Sequence, residues 1–312
     1  MKVNVFVCTK PFQWLNVENI RKEGASSNIL IIIENFPDSA TIAGRIKQYF
    51  PHWKEIILVK NRLDAFLAIR KFRVDNLYVD SDYGRKSYLY SLVPGKLFVY
   101  DEGIGTYSVT TKELSGFLNK MKFFLFKAIG AGTFQGGNWK TRGVIVYNKK
   151  LYNIRFGKEL KGKEILSFQY PFNEFIRHNI DRICKVFNFY DYAGLTGKRI
   201  LLYLTFHKLR DDIISYITEH ATEYDMVLVK LHPHLAKFGN VAPLQNKGYN
   251  LLTNPIMAEV IILKLAANNY VTILHESSSA CLNLGKSPNL QVLDFQNPLY
   301  AKDFEQYLRT SE

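Results

Sequence analysis

Three short groups of residues in this sequence have the types and spacing that chemistry needs. The first is Asp101-Glu102-Gly103, directly behind the apolar run Leu97–Tyr100. A carboxylate just past a strand end can take a proton from an attacking hydroxyl. Two neighbouring acids favour that task, because repulsion and partial burial raise one pKa. Gly103 lets the backbone turn sharply there; the plainer alternative is an acidic turn. The second group is His232-Pro233, after MVLVK. Pro233 ends the strand and so presents His232, whose imidazole can bind a phosphate oxygen or assist a departing phosphate. The alternative is a histidine satisfied by a nearby carbonyl. His234 stands two positions on, but no third ligand at a sensible spacing accompanies the pair, so a metal site is not expected. The third group is His275-Glu276-Ser277-Ser278-Ser279, between the run YVTIL and a short helical segment. Serines cap helix starts, and hydroxyls with free backbone N–H groups make a phosphate site; capping without a ligand is the alternative. An acidic pair, Asp211-Asp212, precedes His232 and reads first as the N-terminal charge of a helix. The D-x-D at Asp80-Ser81-Asp82 could hold a metal-bound diphosphate, and reads here as an acidic strand-to-helix turn.

The elements that must position these groups alternate β-branched runs with amphipathic stretches. Strands are expected at Val3–Cys8, Asn28–Glu34, Glu55–Val59, Asn76–Val79 and Leu97–Tyr100, with helical patterns near 13–22, 39–49, 61–72 and 83–92. A second series follows Gly194-Leu195-Thr196-Gly197. Its strands are Arg199–Thr205, Met226–Leu231, Asn250–Leu252, Tyr270–Leu274 and Leu290–Leu293, with helices near 210–223, 256–267 and from about Ser278. Such alternation is the signature of βα units and parallel sheets. The expected fold class is α/β, with two Rossmann-like doubly wound lobes facing a cleft. Residues 1–190 and 191–298 form the lobes, the helix of Pro171–Phe189 leads between them, and 299–312 crosses back to the first. All three groups then fall at carboxyl ends of strands, where such folds place ligands.

With 312 residues, 47% of them hydrophobic, and a mean hydropathy of −0.11, the chain has material for two cores. Its three cysteines are scattered and odd in number, which reads as reduced thiols in a cytosol. No signal peptide or membrane-spanning run is legible, so a cytoplasmic protein is expected. The net charge of +13 fits nucleic acid, an anionic membrane surface or a phosphate-bearing substrate. The basic residues are spread along the chain, which argues against nucleic acid. Residues Lys112–Arg142 break the rhythm, with a basic helix carrying a bulky aromatic face and then a glycine-rich loop. An interfacial element or a lid is one reading. The expected one is a lobe-packing helix with Phe123, Phe124 and Phe126 in the core, because their exposure is costly.

In motif and order the chain resembles the bacterial sialyltransferases of two-lobed GT-B architecture, most closely the lipooligosaccharide sialyltransferase family, with related motifs in polysialyltransferases. The matching residues are Asp101-Glu102-Gly103, His232-Pro233 and Ser277-Ser278. The opening strand followed by Thr9-Lys10-Pro11-Phe12-Gln13 is similar as well. The resemblance implies a first lobe carrying the general base, Asp101 or Glu102, on the acceptor side, and a second lobe holding the nucleotide. His232 would hold the CMP phosphate and assist its departure. Gly103, Pro233, Ser277, Ser278 and Ser279 would shape the donor site, and Asp211 is a second-choice acid. It implies inverting transfer of sialic acid from CMP-sialic acid to a terminal sugar such as galactose, on a lipid-linked surface glycan. No metal or other cofactor is expected, because a histidine, serines and a helix N-terminus can neutralise a leaving group with a single phosphate. The basic surface would place the protein on the inner face of the bacterial membrane. A GT-B transferase using glucose or Kdo is the nearest alternative, and a basic nucleic-acid-binding protein without catalysis is the alternative of another class.

Overall fold

The computed structural model describes residues 2–21, 27–84, 87–107, 116–160, 162–190, 192, 194–285, 287–298 and 300–311. The chain divides into two compact units: Met1–Pro171 with Gln306–Glu312, and Phe172–Glu305. Among the described residues, the first unit holds a seven-stranded parallel sheet. Its strands are β1 (Val3–Cys8), β2 (Asn28–Ile33), β3 (Glu55–Val59), β4 (Val74–Val79), β5 (Lys96–Tyr100), β6 (Thr141–Ile145) and β7 (Glu164–Leu166), in the order β3-β2-β1-β4-β5-β6-β7. The period-two rule of a strand sorts its side chains. Val3, Val5, Val7, Ile29, Ile31, Leu77, Val79, Leu97 and Val99 pack in one core with Ala65 and Ile69. On the opposite face Phe6, Tyr78 and Phe98 stack ring on ring across β1, β4 and β5, with centroids 4.5 and 5.2 Å apart. Burial on both faces explains why runs such as NILIII are continuously apolar. Each such side chain contributes about 1.5–3 kcal/mol.

The helices of this unit are α1 (Pro11–Ile20), α2 (Ser39–Tyr49), α3 (Arg62–Ile69), α4 (Phe117–Ala128) and α5 (Lys149–Phe156). Pro11 opens α1, where a missing N–H does no harm. Asn61 caps α3 by accepting from Leu63 N at 2.9 Å and Asp64 N at 3.0 Å.

The second unit holds α6 (Phe172–Phe187), β8 (Arg199–Leu204), α7 (Asp211–His220), β9 (Met226–Lys230), α8 (Pro233–Phe238), α9 (Ala242–Gln245), β10 (Asn250–Leu252), α10 (Ala258–Ala266), β11 (Tyr270–His275) and β12 (Leu290–Asp294). It also holds the start of α11 (Ala301–Ser311). Its parallel sheet runs β10-β9-β8-β11-β12. Helix α6 belongs here rather than to the first unit. It packs on α10, where Lys264 Nζ meets Asp181 Oδ1 at 2.8 Å.

Three further expectations need correction, and some elements were not foreseen. The helix near 83–92 is a 3-10 turn, Tyr88–Leu92, and Arg85 and Lys86 lie outside the described residues. Residues after Ser278 form only a 3-10 turn, Ser279–Cys281. Strands β6 and β7 and helix α5 were not anticipated. Gly143 interrupts the apolar pattern of β6, and a Cβ there would stand 3.0 Å from Glu164 O of β7. Finally, the aromatic face of α4 is not core. Phe117 and Leu118 are 76% and 77% exposed, Phe124 is exposed, and Phe126 is the buried residue of the helix. Apolar residues occupy too wide an arc of α4 for one packing face to cover. Lys112–Ser115 and Leu299 lie outside the described residues.

Candidate functional site

A doubly wound sheet opens at its carboxyl edge where strand order reverses. In the first unit that point lies between β1 and β4, and in the second between β8 and β11. The sequence motifs sit at or beside these two points, each within its own unit.

In the first unit, Thr9 follows β1, Asp80 follows β4 and Asp101-Glu102 follows β5. Gln13, fully buried in the first turns of α1, ties them together. Its Oε1 accepts from Thr9 N at 2.5 Å and Thr9 Oγ1 at 2.9 Å. Its Nε2 donates to Glu102 Oε1 at 2.8 Å and Asp80 Oδ2 at 3.3 Å. Lys10 Nζ also reaches Glu102 Oε1, at 2.6 Å. Glu102 remains partly exposed, whereas Asp101 is buried at 1%. The Asp101 carboxylate accepts from Gly103 N at 2.8 Å, Tyr147 N at 3.2 Å and the Tyr107 hydroxyl. Burial pushes it up to about 6, opposed by these hydrogen bonds, that from Tyr107 first. Gly103 adopts φ +97°, which L side chains avoid, and that conformation aims its N–H back at Asp101.

The two acids that follow β4 are each held by donors of the same unit. Asp80 takes both terminal nitrogens of Arg62, at 2.9 and 2.6 Å. Asp82 accepts from Gly136 N, Asn138 N and Thr141 Oγ1 at 2.9, 3.2 and 2.5 Å, so it pins the glycine-rich loop. Both carboxylates are buried and engaged by these donors. Among the described residues no group of three or more His, Cys, Asp or Glu has the arrangement of a metal site.

In the second unit His232 N-caps α8. Its Nδ1 accepts from His234 N at 3.2 Å, and its own N–H donates to Thr205 Oγ1 at 2.8 Å. Burial pushes His232 down to about 4, with His207 and His234 adding to the effect. Its ring lies 4.5 Å from that of His207, which stacks on Phe206 at 4.2 Å. With Nδ1 accepting, the neutral ring carries its proton on Nε2 as a donor. Helix α8 has six residues, so its dipole adds little.

Strand β8 separates His232 from the serine group. Ser277 stands at φ +51°, a conformation costing about 1 kcal/mol or more for a non-glycine residue. Asp294 holds it there, accepting from Ser277 N at 2.7 Å and from Ser277 Oγ at 3.3 Å. The Ser277 donors are therefore engaged in the turn. Ser278 Oγ accepts from Ala280 N at 3.4 Å, Ser278 is half-buried and Ser279 is exposed. Because only a 3-10 turn follows, hydroxyls rather than a helix dipole remain for an anion. Asp211 and Asp212 form the acidic first turn of α7, and Arg210 grips Asp212 at 3.0 and 2.5 Å.

Several residues escaped sequence reasoning. Arg62 and His207 meet their partners through sheet order, which no local pattern encodes, and Tyr107 folds back on Asp101 within the loop after β5. His275 opens the third motif but was given no role of its own; it is fully buried, its Nδ1 accepts from Ser278 N at 3.1 Å, and its Nε2 has no hydrogen-bond partner among the described residues. Burial drives it to the neutral form, against the pull of Asp294. A ligand oxygen would satisfy that N–H. Glu259, in the first turn of α10, is buried and pushed up to about 7 by that burial. An acid following Asn254-Pro255 at a helix start was the available signal. Lys230, pushed down to about 8 by burial, donates to Asn254 O at the end of β9.

No family model matches the chain, and no curated protein sequence matches it. Solved structures do. The chain is similar to UDP-N-acetylglucosamine 2-epimerase from Rickettsia bellii, at 14% identity and TM-score 0.55, over 95% of this chain and 79% of that one. It is similar to the UDP-GlcNAc 2-epimerase from Neisseria meningitidis bound to UDP-GlcNAc, at 13% and 0.57, over 100% and 94%. It is also similar to the wall teichoic acid polymerase TagF, at 11% and 0.54, over 99% and 82%. These likenesses show the fold: two Rossmann-like lobes of the GT-B type.

Proposed function

We propose that this chain is an inverting, metal-independent glycosyltransferase that moves sialic acid from CMP-sialic acid to a terminal sugar, such as galactose, of a lipid-linked bacterial glycan. The observation that carries the reading is the position of Glu102. It is the acid of the Asp80, Asp82, Asp101 and Glu102 group that reaches solvent, at the carboxyl edge of a Rossmann-like sheet and held by Lys10 and Gln13. Glu102 is the general base, and Asp101 shapes the loop that presents it. Glu102 takes the proton of the acceptor hydroxyl as that oxygen attacks the anomeric carbon. The bond from that carbon to the phosphate oxygen breaks, and its electron pair leaves with CMP. In the second unit, His232 Nε2–H and the hydroxyls of Ser278 and Ser279 receive the phosphate charge. A single phosphate needs fewer counter-charges than a diphosphate, so neutral donors suffice where many transferases use a divalent ion.

Motif order supports the sialic acid donor; the UDP-sugar epimerases among the similar structures favour a second reading, isomerisation of a UDP-sugar with no acceptor. NMR on two reactions separates them. CMP-sialic acid with a galactose-terminated acceptor should give a product of inverted anomeric configuration, and retention would overturn the mechanism. UDP-GlcNAc alone should remain unchanged, and epimer formation would establish the second reading.

A further inference from the structure

Helix α4 presents an apolar face that no other element covers among the described residues. Asn119, Phe123, Phe126 and Gly130 turn inward, and of these Phe126 is buried. On the other side Phe117, Leu118, Met121, Phe124, Leu125 and Ile129 are exposed. At 3.6 residues per turn these six span an arc of roughly 140°. Lys122 stands beyond one border of that arc, and Lys120 and Lys127 beyond the other; all three are exposed, and α4 contains no acid. The helix end continues the patch. Trp139 N donates to Gly130 O at 3.0 Å, and the Trp139 ring lies against Gly130, where a Cβ would come within 2.8 Å of it. Trp139 is 59% exposed. It also lines a pocket of about 390 Å³ with Lys96, Lys140, Arg142 and Lys163. Arg142 pairs with Glu164 at 2.9 Å and Lys163 donates to Gly136 O and Asn138 O, but Lys96 and Lys140 form no ion pair among the described residues.

We propose that α4 and Trp139 seat the first unit on an anionic phospholipid bilayer, with the helix in the plane of the interface and lipid phosphates against the flanking lysines and the Lys96–Lys140 pocket. The division of labour is that of interfacial helices: a broad apolar face in the acyl boundary, cations at the headgroup level, and an amphipathic aromatic at the rim. A protein partner of acidic character would meet the lysines but leave six large apolar side chains without matching chemistry. A bilayer satisfies both. This assignment does not depend on the sugar-transfer reading, because no residue of the Asp101–Glu102 or His232 groups takes part in it.

The test is flotation of the full chain with vesicles of phosphatidylcholine alone or with an equal part of phosphatidylglycerol. The chain should float with the anionic vesicles and not with the neutral ones. Phe117→Ser with Phe124→Ser, and separately Lys120→Glu with Lys127→Glu, should each weaken partitioning about tenfold or more, with an unchanged Tm because these side chains touch solvent. Trp14 and Trp53 are buried, so a shift of tryptophan emission to shorter wavelength on binding reports Trp139 and should vanish in Trp139→Phe. Absence of binding, or equal partitioning of wild type and both double variants, overturns the proposal. So does a lipid-free dimer abolished by the serine pair, which would assign the face to a second copy of the chain.

Discussion

Gln13 Nε2 lies 2.8 Å from Glu102 Oε1, so the first helix of the chain holds an acid that follows its fifth strand. The same amide group reaches Thr9 and Asp80, which makes one buried side chain the joint between three strand ends. Replacing Gln13 by Leu fills the position in large part with an apolar side chain and removes every one of these bonds. The expected result is a loss of about 1–3 kcal/mol of stability, since Thr9 N and Asp80 Oδ2 lose a buried partner. Turnover should fall about tenfold or more as Glu102 loses its fixed rotamer. Chemical denaturation and steady-state kinetics on the same preparation check both.

Glu102 and Asp101 are neighbours in sequence with different surroundings, and the variants should separate them. Glu102→Gln keeps Lys10 and Gln13 within reach but cannot take a proton, so kcat should drop about a hundredfold to ten-thousandfold with an unchanged Tm. Asp101→Asn should retain much more activity. A larger loss from Asp101→Asn than from Glu102→Gln would move the base to Asp101.

The buried carboxyl of Asp101 also makes a stability prediction. Its folded-state value, about 6, lies above the ordinary carboxylate range because of burial. The folded state therefore holds the proton where the unfolded state has lost it. The stability this confers is fully present below the unfolded value and is lost as pH rises through the folded one. The difference in unfolding free energy, wild type minus Asp101→Asn, should fall by up to about 3 kcal/mol between pH 4 and pH 7. A difference that stays constant over that range contradicts the assignment.

Much of this architecture was legible in the residues. Val3–Cys8 begins and ends where β1 does, and the expected Asn28–Glu34 overruns β2 by one residue, because strands buried on both faces are continuously apolar and bounded by turn residues. The alternation with helices then dictates parallel sheets, and the motifs fall at carboxyl edges as a consequence. Strand β6 was hidden by Arg142-Gly143, whose lack of a side chain serves the close approach of β7 rather than any local pattern. The exposure of α4 was not legible because apolar count is the same for a face that meets core and one that meets solvent. Within the site, the split between Asp101 and Glu102 depends on Tyr107 and Tyr147, and the histidine cluster on His207. The Tyr147 and His207 contacts belong to sheet order, and the Tyr107 contact to the fold of the loop after β5, not to any sequence period.

His232 should couple ligand binding to protons. It is neutral in the free protein, pushed down to about 4. A phosphate placed against Nε2 raises that value, so the complex binds more protons than the free protein. CMP affinity measured by calorimetry should therefore tighten as pH falls from 7 to 5, relative to His232→Ala, which should lack the slope. The same variant should lose about a hundredfold in turnover. Its Tm should stay within a few degrees, because only the cap of a six-residue helix is lost. Wild-type turnover in His232→Ala would remove the residue from the site.

The measurement that bears most directly on the central claim is nucleotide release by the purified chain in EDTA, with galactose-terminated acceptors and CMP-sialic acid, CMP-Kdo or UDP-glucose as donor. The account predicts release of CMP from CMP-sialic acid alone, at a rate that EDTA leaves unchanged. Release from CMP-Kdo or UDP-glucose in its place, or activity that returns only with a divalent ion, would contradict it.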